Sequence, residues 1–524
     1  MAGTTELQRF AFVFPMASGH INPSLPIARA LGKLGHDVHY MCSEQMRGAI
    51  EDTGATFHAD VDVEPELYEG RAAKDLNGLF SELRKEYGLA DEPFMQSILR
   101  FKNVILELRL PGLLRFLQEL NPAAVVYCPL SSIEAAWSAK LQGLPHVGLN
   151  TIAGPGAATL AFGQWFKRLG VTFEGIDEML REFEPNMRAH KRLQSKYGIN
   201  LEGDGGLDKP LGRLPHAAHA ALTMVTTTED FYEPITLELK KAYDLDKAKF
   251  VAVGPLLDES GAKRAAGHKS SMHEVVDLQN YGLGSSAILQ RVIDAHKEGR
   301  AVILASMGTV ITGDFEGVGW EGRITGADGL LRGLTGRELC RAAWSGVFDA
   351  FGAGTAEEGP LVILALGPQP NALGEITPPP NAICAAEVPQ VDLLEAGIDL
   401  FLTHGGQNSF TEALANETPV VVCPGFGDQP LNAQKAVDLG VGLKVDRPDP
   451  DAGHEKEAVA AYRADVAAAL RAVSTSRDFK AAAVKCGKNL QCAGGVPRAV
   501  QLLLEAAQGA KALTVATVSR HAGA

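Results

Sequence analysis

Several kinds of sequence signal are missing from this 524-residue chain, and each absence excludes a class of protein. No stretch of about 18 consecutive apolar residues occurs, so we predict no membrane-spanning helix. No long run of lysine and arginine occurs, and the formal net charge of −14 argues against a nucleic-acid partner. The N-terminus has neither a basic segment nor a cleavage-site pattern, so we expect no signal peptide.

The seven cysteines are scattered along the chain, and none belongs to a CxxC pair or to a Cys/His pattern with zinc spacing. Cys42, Cys384 and Cys423 lie in or beside apolar, strand-like runs, where free cysteine behaves as a small hydrophobic residue. A reducing compartment is the simplest interpretation, and we expect a cytoplasmic protein. We also predict no metal site, because no Asp-x-Asp triplet follows a convincing strand.

Length and the alternation of secondary-structure patterns indicate the fold class. A chain of 524 residues is too long for a single core and suggests two or three domains. Short apolar runs alternate with helical patterns, which predicts an α/β protein built on parallel sheets. The hydrophobic content of 46% is typical of a globular protein.

The stretch from Val388 to Asn432 is the most informative part of the chain. An apolar run at 400–402 predicts a buried strand, and the sequence THGGQNS follows it directly at 403–409. A helical pattern over 410–416 and a second apolar run over 420–423 complete the stretch. A strand, a glycine turn, a helix and a strand in this order predict a parallel βαβ unit.

The turn of this unit has the features of an anion site. Gly405 and Gly406 let the backbone approach a ligand closely because they carry no side chain. Asn408 and Ser409 are good N-cap residues, and the helix that they begin would direct unpaired N–H groups toward the glycines. His404 would lie at the carboxyl end of the strand, where α/β sheets bind ligands. We therefore predict a phosphate or diphosphate site.

Glu412 has two interpretations. It would lie in the first helical turn, where it could accept hydrogen bonds from the two hydroxyls of a ribose. Alternatively, Ser409 and Glu412 form a capping box that serves only the helix terminus. The glycine-then-helix pattern is weak by itself, since neither GxGxxG nor a Walker motif accompanies it.

A second unit of the same kind opens the chain. An apolar run at 10–14 predicts a strand, residues 16–20 a turn, and Asn22 followed by Pro23 a helix start. His20 would then face the crevice at the end of the strand, where a neutral imidazole could take a proton from a hydroxyl. The alternative is that His20 only hydrogen-bonds the turn.

Taken together, these motifs resemble those of the family 1 UDP-dependent glycosyltransferases. The donor-binding signature of that family is matched in order and spacing by PQ at 389–390, HGGxNSxxE at 404–412, Pro424, and DQxxNA at 428–433. The segment GHINP at 19–23 resembles the catalytic-base motif of the family. The segment SMGT at 306–309, after a predicted strand, resembles its other donor loop.

The resemblance implies a GT-B fold, in which two doubly wound Rossmann-like domains face each other across a cleft. It implies an N-terminal acceptor-binding domain at 1–255, a linker at 256–285 and a donor-binding domain at 286–488. Residues 489–524 would form a helix that crosses back to the first domain, and a tail. The implied activity is an inverting, metal-independent transfer of a hexose, foremost glucose, from a UDP-sugar to a hydroxyl of a small lipophilic or phenolic acceptor. The UDP-sugar is a co-substrate, and no cofactor is implied.

The resemblance also assigns roles to individual residues. His20 would be the general base, and Asp428 and Gln429 would contact the donor sugar. The nucleotide of the donor would be bound by Ser306, Gly308, Thr309, Val388, Gln390, His404, Gly406, Asn408, Ser409 and Glu412.

The chain departs from the family pattern at two positions. The family usually has an aspartate that orients the histidine base directly after the strand predicted here at 123–127, and Cys128 stands at that position. Glu134 on the following helix could reach His20 instead, an acidic acceptor could make a lone histidine sufficient, or catalysis is lost. Glu387 replaces the tryptophan that commonly stacks on uracil, so that the backbone of Val388 and the amide of Gln390 would read the base.

Two other functions fit parts of the pattern. A nucleotide-sugar 2-epimerase would share the diphosphate site, but it would need carboxylates around the sugar and no acceptor cleft. A nucleotide-sugar-binding protein without catalysis would account for Cys128 and Glu387.

Three further segments carry weaker expectations. Aromatic residues Phe162, Trp165, Phe166 and Phe173 could line an acceptor cleft, although a core role is more typical. The polar segment 60–95 is interpreted as a variable loop region. The glycine-rich segment 313–336 is interpreted as a surface insertion without an assignable role.

Overall fold

The computed structural model describes residues 7–15, 17–168, 172–199, 213–214, 220–265, 284–325 and 331–521, and two parallel sheets organise them. The first sheet has seven strands in the order β3-β2-β1-β4-β5-β6-β7. These strands are β1 (Arg9–Val13), β2 (Asp37–Cys42), β3 (Thr56–Ala59), β4 (Ala124–Tyr127), β5 (His146–Asn150), β6 (Leu222–Val225) and β7 (Phe250–Ala252).

The second sheet has six strands in the order β12-β11-β8-β13-β14-β15. They are β8 (Val302–Ser306), β11 (Leu361–Ala365), β12 (Ala382–Ala385), β13 (Leu400–Thr403), β14 (Val420–Val422) and β15 (Gly442–Lys444), and a separate hairpin pairs β9 (Ile324–Thr325) with β10 (Leu331–Arg332). In each sheet the strand order reverses beside the first strand, between β1 and β4 and between β8 and β13. Such switch points are where α/β sheets bind ligands.

Helices connect the strands of both sheets. Those described before residue 250 are α1 (Ser18–Ile21), α2 (Leu25–Lys33), α3 (Arg47–Glu51), α4 (Asp60–Val63), α5 (Pro65–Tyr68), α6 (Leu76–Glu86), α7 (Phe94–Arg100), α8 (Lys102–Leu120), α9 (Ile133–Leu141), α10 (Ala157–Arg168), α11 (Phe173–Glu182), α12 (Glu184–Tyr197) and α13 (Leu237–Asp246). Those described after residue 284 are α14 (Ser285–Lys297), α15 (Gly336–Phe351), α16 (Gln390–Gly397), α17 (Gln407–Ala415), α18 (Gln429–Asp438), α19 (Glu455–Thr475), α20 (Arg477–Cys492) and α21 (Gly495–His521).

Burial on both faces explains why the strands read as continuous apolar runs. Along β1, Phe10 and Phe12 enter one buried cluster, whereas Ala11 and Val13 enter another on the opposite face. Side chains alternate between the two faces of a strand, so a strand covered on both faces must be apolar at every position. The same holds in the second sheet, where Val421 enters one cluster and Val420 another.

The C-terminal helix α21 packs against the first domain. Its residues Ala499, Val500 and Leu503 belong to the same buried cluster as β1 and α2. Just before it, α20 contributes to a cluster of the second domain. Among the described residues no helix, α21 included, combines the length and the apolar character that a bilayer crossing requires.

Two segments interpreted above as irregular are parts of the packed fold. Residues 60–95 include α4, α5, α6 and the start of α7. Leu79 and Leu83 of α6 are buried in a hydrophobic cluster that neighbouring helices share. In 313–336, Trp320 and Leu334 are buried in the core of the second domain. The interpretation as a loop and as a surface insertion was therefore wrong. In the second segment the many glycines obscure the apolar pattern of the sequence. Two of them, Gly319 and Gly336, pack backbone against backbone.

A buried ionic cluster lies beneath the first sheet. Arg109 of α8 places Nη2 3.1 Å from Glu64 Oε2, and its Nη1 contacts Glu134 Oε1 of α9. All three side chains are at most 7% exposed. Burial raises the pKa of Glu64 to about 7, even though Arg109 acts to lower it. One guanidinium therefore compensates two carboxylates in a region without solvent.

Replacing Arg109 with leucine should destabilise the protein by about 3–5 kcal/mol, because it leaves two buried carboxylates without a partner. Those carboxylates would hold protons in the folded state at a pH where the unfolded chain, with a glutamate pKa of about 4.3, has lost them. Stability should then fall as pH rises, so the deficit should be larger at pH 8 than at pH 6 in denaturant unfolding.

Arg115→Leu on the same helix is the matched control, since Arg115 pairs with Glu66 in solvent, with Nη2 2.8 Å from Oε2. It should cost less than about 1 kcal/mol. Equal losses for the two variants would show that the buried cluster contributes no more than a surface pair.

Candidate active site in the interdomain cleft

A cavity of about 500 Å³ opens between the two sheets, at the carboxyl ends of their strands. The first domain contributes the segments that follow β1 and β5, and the second contributes those that follow β8, β11, β12, β13 and β14. Every residue to which the resemblance assigns catalysis or donor binding lines this cavity except Glu412, and Cys128 and Glu134 do not line it either. The cavity therefore lies where the switch points of both sheets meet.

His20 is positioned by the ends of three adjacent strands. It lies in α1 after β1, and its Nδ1 is 3.3 Å from Cys128 Sγ and 3.0 Å from Thr151 Oγ1. Cys128 directly follows β4 and Thr151 directly follows β5, and the sheet order is β1-β4-β5. Because Nδ1 is occupied, Nε2 is the ring nitrogen left for a ligand in the cavity.

His20 and Cys128 shift each other's ionisation. Burial alone would lower the pKa of His20, but the charge and the hydrogen bond of Cys128, with a smaller contribution from Asp428, raise it above its ordinary value. Burial likewise opposes ionisation of Cys128, but His20, the Ser131 hydroxyl and the Leu130 backbone N–H lower the pKa of the thiol. Cys128 is thus the hydrogen-bonded partner of the imidazole at the position that the sequence indicated.

Two expectations around His20 were wrong. Glu134 does not reach His20, because its carboxylate is held by Arg109 in the buried cluster. The described part of 16–20 is not a plain turn, since α1 begins at Ser18 and a 3₁₀ turn over Asn22–Ser24 follows it. Asn22 therefore does not cap a helix. Its side chain instead makes two hydrogen bonds with the backbone of Ala265, at 2.8 Å and 3.2 Å.

Helix α17 begins earlier than the sequence indicated. It starts at Gln407 after an extended Gly406, and no side chain of Asn408 or Ser409 caps it. The carboxylate of Asp428 instead accepts a hydrogen bond from the backbone N–H of Gln407. Asn408 is free to donate across the cleft to the carbonyl oxygen of Gly19, at 2.8 Å from Nδ2. The N-cap prediction was wrong, and so was the capping box.

The ring of His404 lies between two glycines. A Cβ atom on Gly308 would stand 2.4 Å from His404 Nε2, and one on Gly406 would stand 2.5 Å from it. Both glycines are therefore required for this packing, and not only for the approach of a ligand. Burial lowers the pKa of His404 to about 4, so that the ring is a neutral imidazole at pH 7 and retains one N–H donor.

Glu412 lies one turn further along α17 than predicted and adjoins the cavity without lining it. Its Oε1 accepts a hydrogen bond from Arg264 Nη2 at 2.6 Å, and its Oε2 accepts one from Gln390 Nε2 at 2.7 Å. Gln390 Nε2 also lies 3.1 Å from Ser409 Oγ. Gln390 thus connects Glu412 to the first turn of the helix.

Asp428, Gln429 and Val388 also line the cavity. Asp428 is buried there, which raises its pKa to about 6 although the Gln407 N–H and the charge of His20 act to lower it. Gln429 Oε1 accepts backbone hydrogen bonds from Gly425 at 2.8 Å and from Phe426 at 3.2 Å, so this side chain shapes its own loop. The carbonyl of Val388 accepts from the Gln390 N–H at 2.8 Å.

The hydroxyls of the β8 loop complete the site. Thr309 Oγ1 lies 3.1 Å from Ser18 Oγ of the first domain, and the Gly308 N–H lies 3.4 Å from Ser306 Oγ. The contact of Thr309 with Ser18 and the hydrogen bond from Asn408 to Gly19 both join the two domains across the cleft. Within the described chain, no group of three histidine, cysteine, aspartate or glutamate side chains is arranged to hold a metal ion.

Sequence reasoning missed several cavity residues, among them Thr151, Arg264, Phe315 and Phe426. Thr151 had a usable signal, because it directly follows an apolar run that neighbours the Cys128 strand. Phe315 belongs to the misread segment 313–336, and its ring lies 5.5 Å from that of Phe94 and 6.4 Å from that of Phe426. Arg264 had no motif around it. The residues proposed for an acceptor cleft, Phe162, Trp165, Phe166 and Phe173, belong to α10 and α11, and their side chains lie outside the described part of the structure.

Comparisons with known proteins agree with this geometry. Residues 362–484 match the model of the family described as UDP-glucoronosyl and UDP-glucosyl transferase. The chain is 21% identical over 471 residues to the NDP-glycosyltransferase YjiC of Bacillus subtilis, covering 89% of this chain and 92% of that protein. It is 23% identical over 448 residues to an uncharacterized UDP-glucosyltransferase of the same organism, YdhE, covering 85% and 87%.

Solved structures show the same architecture. The glycotransferase of kitacinnamycin superposes with a TM-score of 0.58 at 20% identity, covering 96% of this chain and 100% of that one. The calicheamicin glycosyltransferase CalG4 superposes with a TM-score of 0.58 at 18% identity, covering 96% and 99%. These likenesses confirm two Rossmann-like domains in the GT-B arrangement. The matched family model lies within the second domain, and over most of its length the chain is similar to glycosyltransferases of Bacillus subtilis.

Proposed function

We propose that this chain is a family 1 glycosyltransferase, which moves a hexose, foremost glucose, from a UDP-sugar to a hydroxyl of a small lipophilic or phenolic acceptor, with inversion at the anomeric carbon. The observation that carries the proposal is the cavity itself, which the His20 ring and the amino end of α17 line from opposite domains. An acceptor at His20 and a donor at α17 would meet in one space. The relatives named above are UDP- or NDP-sugar transferases, which supports a nucleotide-sugar donor.

The donor diphosphate would rest against the first turn of α17. The N–H groups of Asn408 and Ser409 lie in this turn, and the helix dipole favours negative charge there. His404 adds a neutral N–H donor, and the β8 loop with Ser306, Gly308 and Thr309 faces the same cavity. These groups would stabilise the charge that develops on the leaving diphosphate without a metal ion.

The donor sugar would lie between the diphosphate and His20. Asp428, with a pKa of about 6, is largely ionised at pH 7 and would accept hydrogen bonds from sugar hydroxyls. Gln429 would donate through its amide nitrogen, since its oxygen is used within the loop. A nucleophile that attacks from the side opposite the diphosphate inverts the anomeric carbon, so an α-linked donor yields a β-glycoside.

His20 would act as the general base through Nε2. It takes the proton of the acceptor hydroxyl as the oxygen attacks, and Cys128 at Nδ1 stabilises the resulting imidazolium. The lowered pKa of the Cys128 thiol means that a thiolate can fill the place of the aspartate usual in the family. The Thr151 hydroxyl also contacts Nδ1 and so restricts the orientation of the ring.

The principal alternative is a nucleotide-sugar-binding protein without transfer activity. It is favoured by Cys128 and by Glu387, which is exposed and lines the cavity where an aromatic ring would stack on a base. Tight UDP-glucose binding without turnover over a broad panel of phenols, sterols and macrolides would support this alternative. UDP release that does not depend on an acceptor would instead indicate an epimerase.

Incubation of the chain with UDP-glucose and a panel of hydroxylated compounds should yield products with the mass of one added hexose. His20→Ala should lower the rate of transfer by about 100-fold or more, since general-base catalysis contributes on the order of 10²–10⁴. UDP affinity should stay within about threefold of the wild-type value, which separates loss of the base from misfolding. Undiminished transfer by His20→Ala would remove this histidine from the mechanism.

The Cys128 partner should be visible in the pH profile. In the wild type the raised pKa of His20 places the acidic limb of kcat/KM above about pH 6.5, because only neutral imidazole accepts a proton. Cys128→Ala leaves burial as the main influence, so the limb should move to lower pH while the plateau rate falls about tenfold. Cys128→Asp should keep the limb high and preserve the rate. Cys492→Ala, at an exposed thiol, is the control, and an unmoved limb in Cys128→Ala would exclude the pairing.

Gly406→Ala should weaken UDP binding by about tenfold, because the new Cβ would displace the His404 ring and such overpacking costs on the order of 1–3 kcal/mol. Gly406 has a negative φ, so the effect would be steric and not a backbone strain. Gly48→Ala, where an added Cβ meets nothing within 4 Å, is the control for calorimetric titration. Equal affinity in both variants would mean that the His404 ring does not contact the donor.

A further inference from the structure

A strap of the chain, residues 258–265, runs between the two domains and is fixed to the first one. Arg29 Nε lies 2.9 Å from Asp258 Oδ1 at the beginning of the strap. Near its end, the backbone N–H of Lys263 lies 3.0 Å from Asp52 Oδ2. The side-chain amide of Asn22 makes hydrogen bonds with both the N–H and the carbonyl oxygen of Ala265. The residue between these two anchors is Arg264.

The strap also contacts the second domain. The N–H of Gly261 lies 3.2 Å from Asp392 Oδ1 of α16, and Arg264 Nη2 lies 2.6 Å from Glu412 Oε1 of α17. The Arg264 side chain is 29% exposed and that of Glu412 only 6%. Arg264 is therefore held by the first domain through its neighbours and by the second domain through its guanidinium.

Arg264 supplies the positive charge among the side chains that line the cavity. It is the one lysine or arginine among the described residues that line this space, whereas the carboxylates of Asp428 and Glu387 line it too. A diphosphate would bring further negative charge into a cavity already surrounded by carboxylates. A guanidinium matches phosphate oxygens in geometry and is always charged at neutral pH.

The existing contacts leave room for a ligand. Of the five N–H donors of a guanidinium, the described part of the chain engages one of Arg264, on Glu412. Each oxygen of Glu412 accepts one hydrogen bond, from Arg264 or from Gln390, so both keep a lone pair for the hydroxyls of a ribose. Gln390 also reaches Ser409 in the first turn of α17, which places the guanidinium near the helix terminus.

We propose that Arg264 is a donor-binding residue that contacts the diphosphate with its unused N–H groups while Glu412 keeps it oriented. This role rests on the proposed nucleotide-sugar site. Because the strap is anchored in the first domain, a donor bound to the second domain would be contacted by both domains through Arg264. Donor binding then stabilises the closed cleft through Arg264, in addition to the bonds from Thr309 and Asn408.

Arg264→Gln tests the proposal, and Lys263→Gln is the matched control, because it removes the same charge from an exposed neighbour outside the cavity. UDP binding is measured by calorimetric titration and uridine binding by NMR titration. Arg264→Gln should weaken UDP binding about 10- to 100-fold and leave uridine binding within about threefold, since uridine lacks the diphosphate. Lys263→Gln should leave both unchanged, and Arg264→Lys should recover part of the UDP affinity. Unfolding temperatures identify any variant that fails to fold.

Three results would overturn the role of Arg264. Equal losses for UDP and uridine would mean that Arg264 only orients Glu412 for the ribose. Unchanged UDP binding would mean that the guanidinium does not touch the donor, and tighter binding that it competes with the nucleotide for Glu412. Failure of the wild-type chain to bind UDP at all would instead overturn the proposed donor, and this role with it.

Discussion

The structure depends on one constraint, which is that parallel strands end at the same edge of their sheet. In each domain the order of strands reverses beside the first strand, and the loops diverge there and leave a crevice. His20 and Cys128 follow the strands that flank the first crevice, and Ser306 and His404 stand at the ends of the strands that flank the second. Since the two crevices face each other, residues almost four hundred positions apart, such as Gly19 and Asn408, come within hydrogen-bond distance.

The chemistry of the site follows from how little solvent reaches it. Burial keeps His404 neutral and raises the pKa of Asp428 to about 6, whereas the pairing of His20 with Cys128 overcomes the effect of burial on both groups. A thiol in place of a carboxylate can serve a base only where hydrogen bonds hold its anion. Ser131 and the Leu130 backbone supply such bonds here.

Much of this arrangement was predictable from sequence, and the reasons for the failures are physical. The strands could be predicted because burial on both faces forces apolar runs, and the glycine turns because His404 and its neighbours keep a recognisable spacing. The start of α17 could not be predicted from local sequence, because its first N–H is capped by Asp428, which belongs to the loop after the next strand. Glu134 was misassigned because its partner, Arg109, lies on another helix. The burial of Trp320 and the placement of Arg264 likewise depend on tertiary contacts that no local pattern records.

The central claim is that a nucleoside diphosphate rests against the amino end of α17, with His20 on the other side of the sugar. The structure of the chain in complex with UDP tests it most directly. The account predicts diphosphate oxygens about 2.7–3.2 Å from the N–H groups of Asn408 or Ser409 and from the His404 ring. UDP bound outside the cleft, or with its diphosphate turned away from this helix, would contradict it.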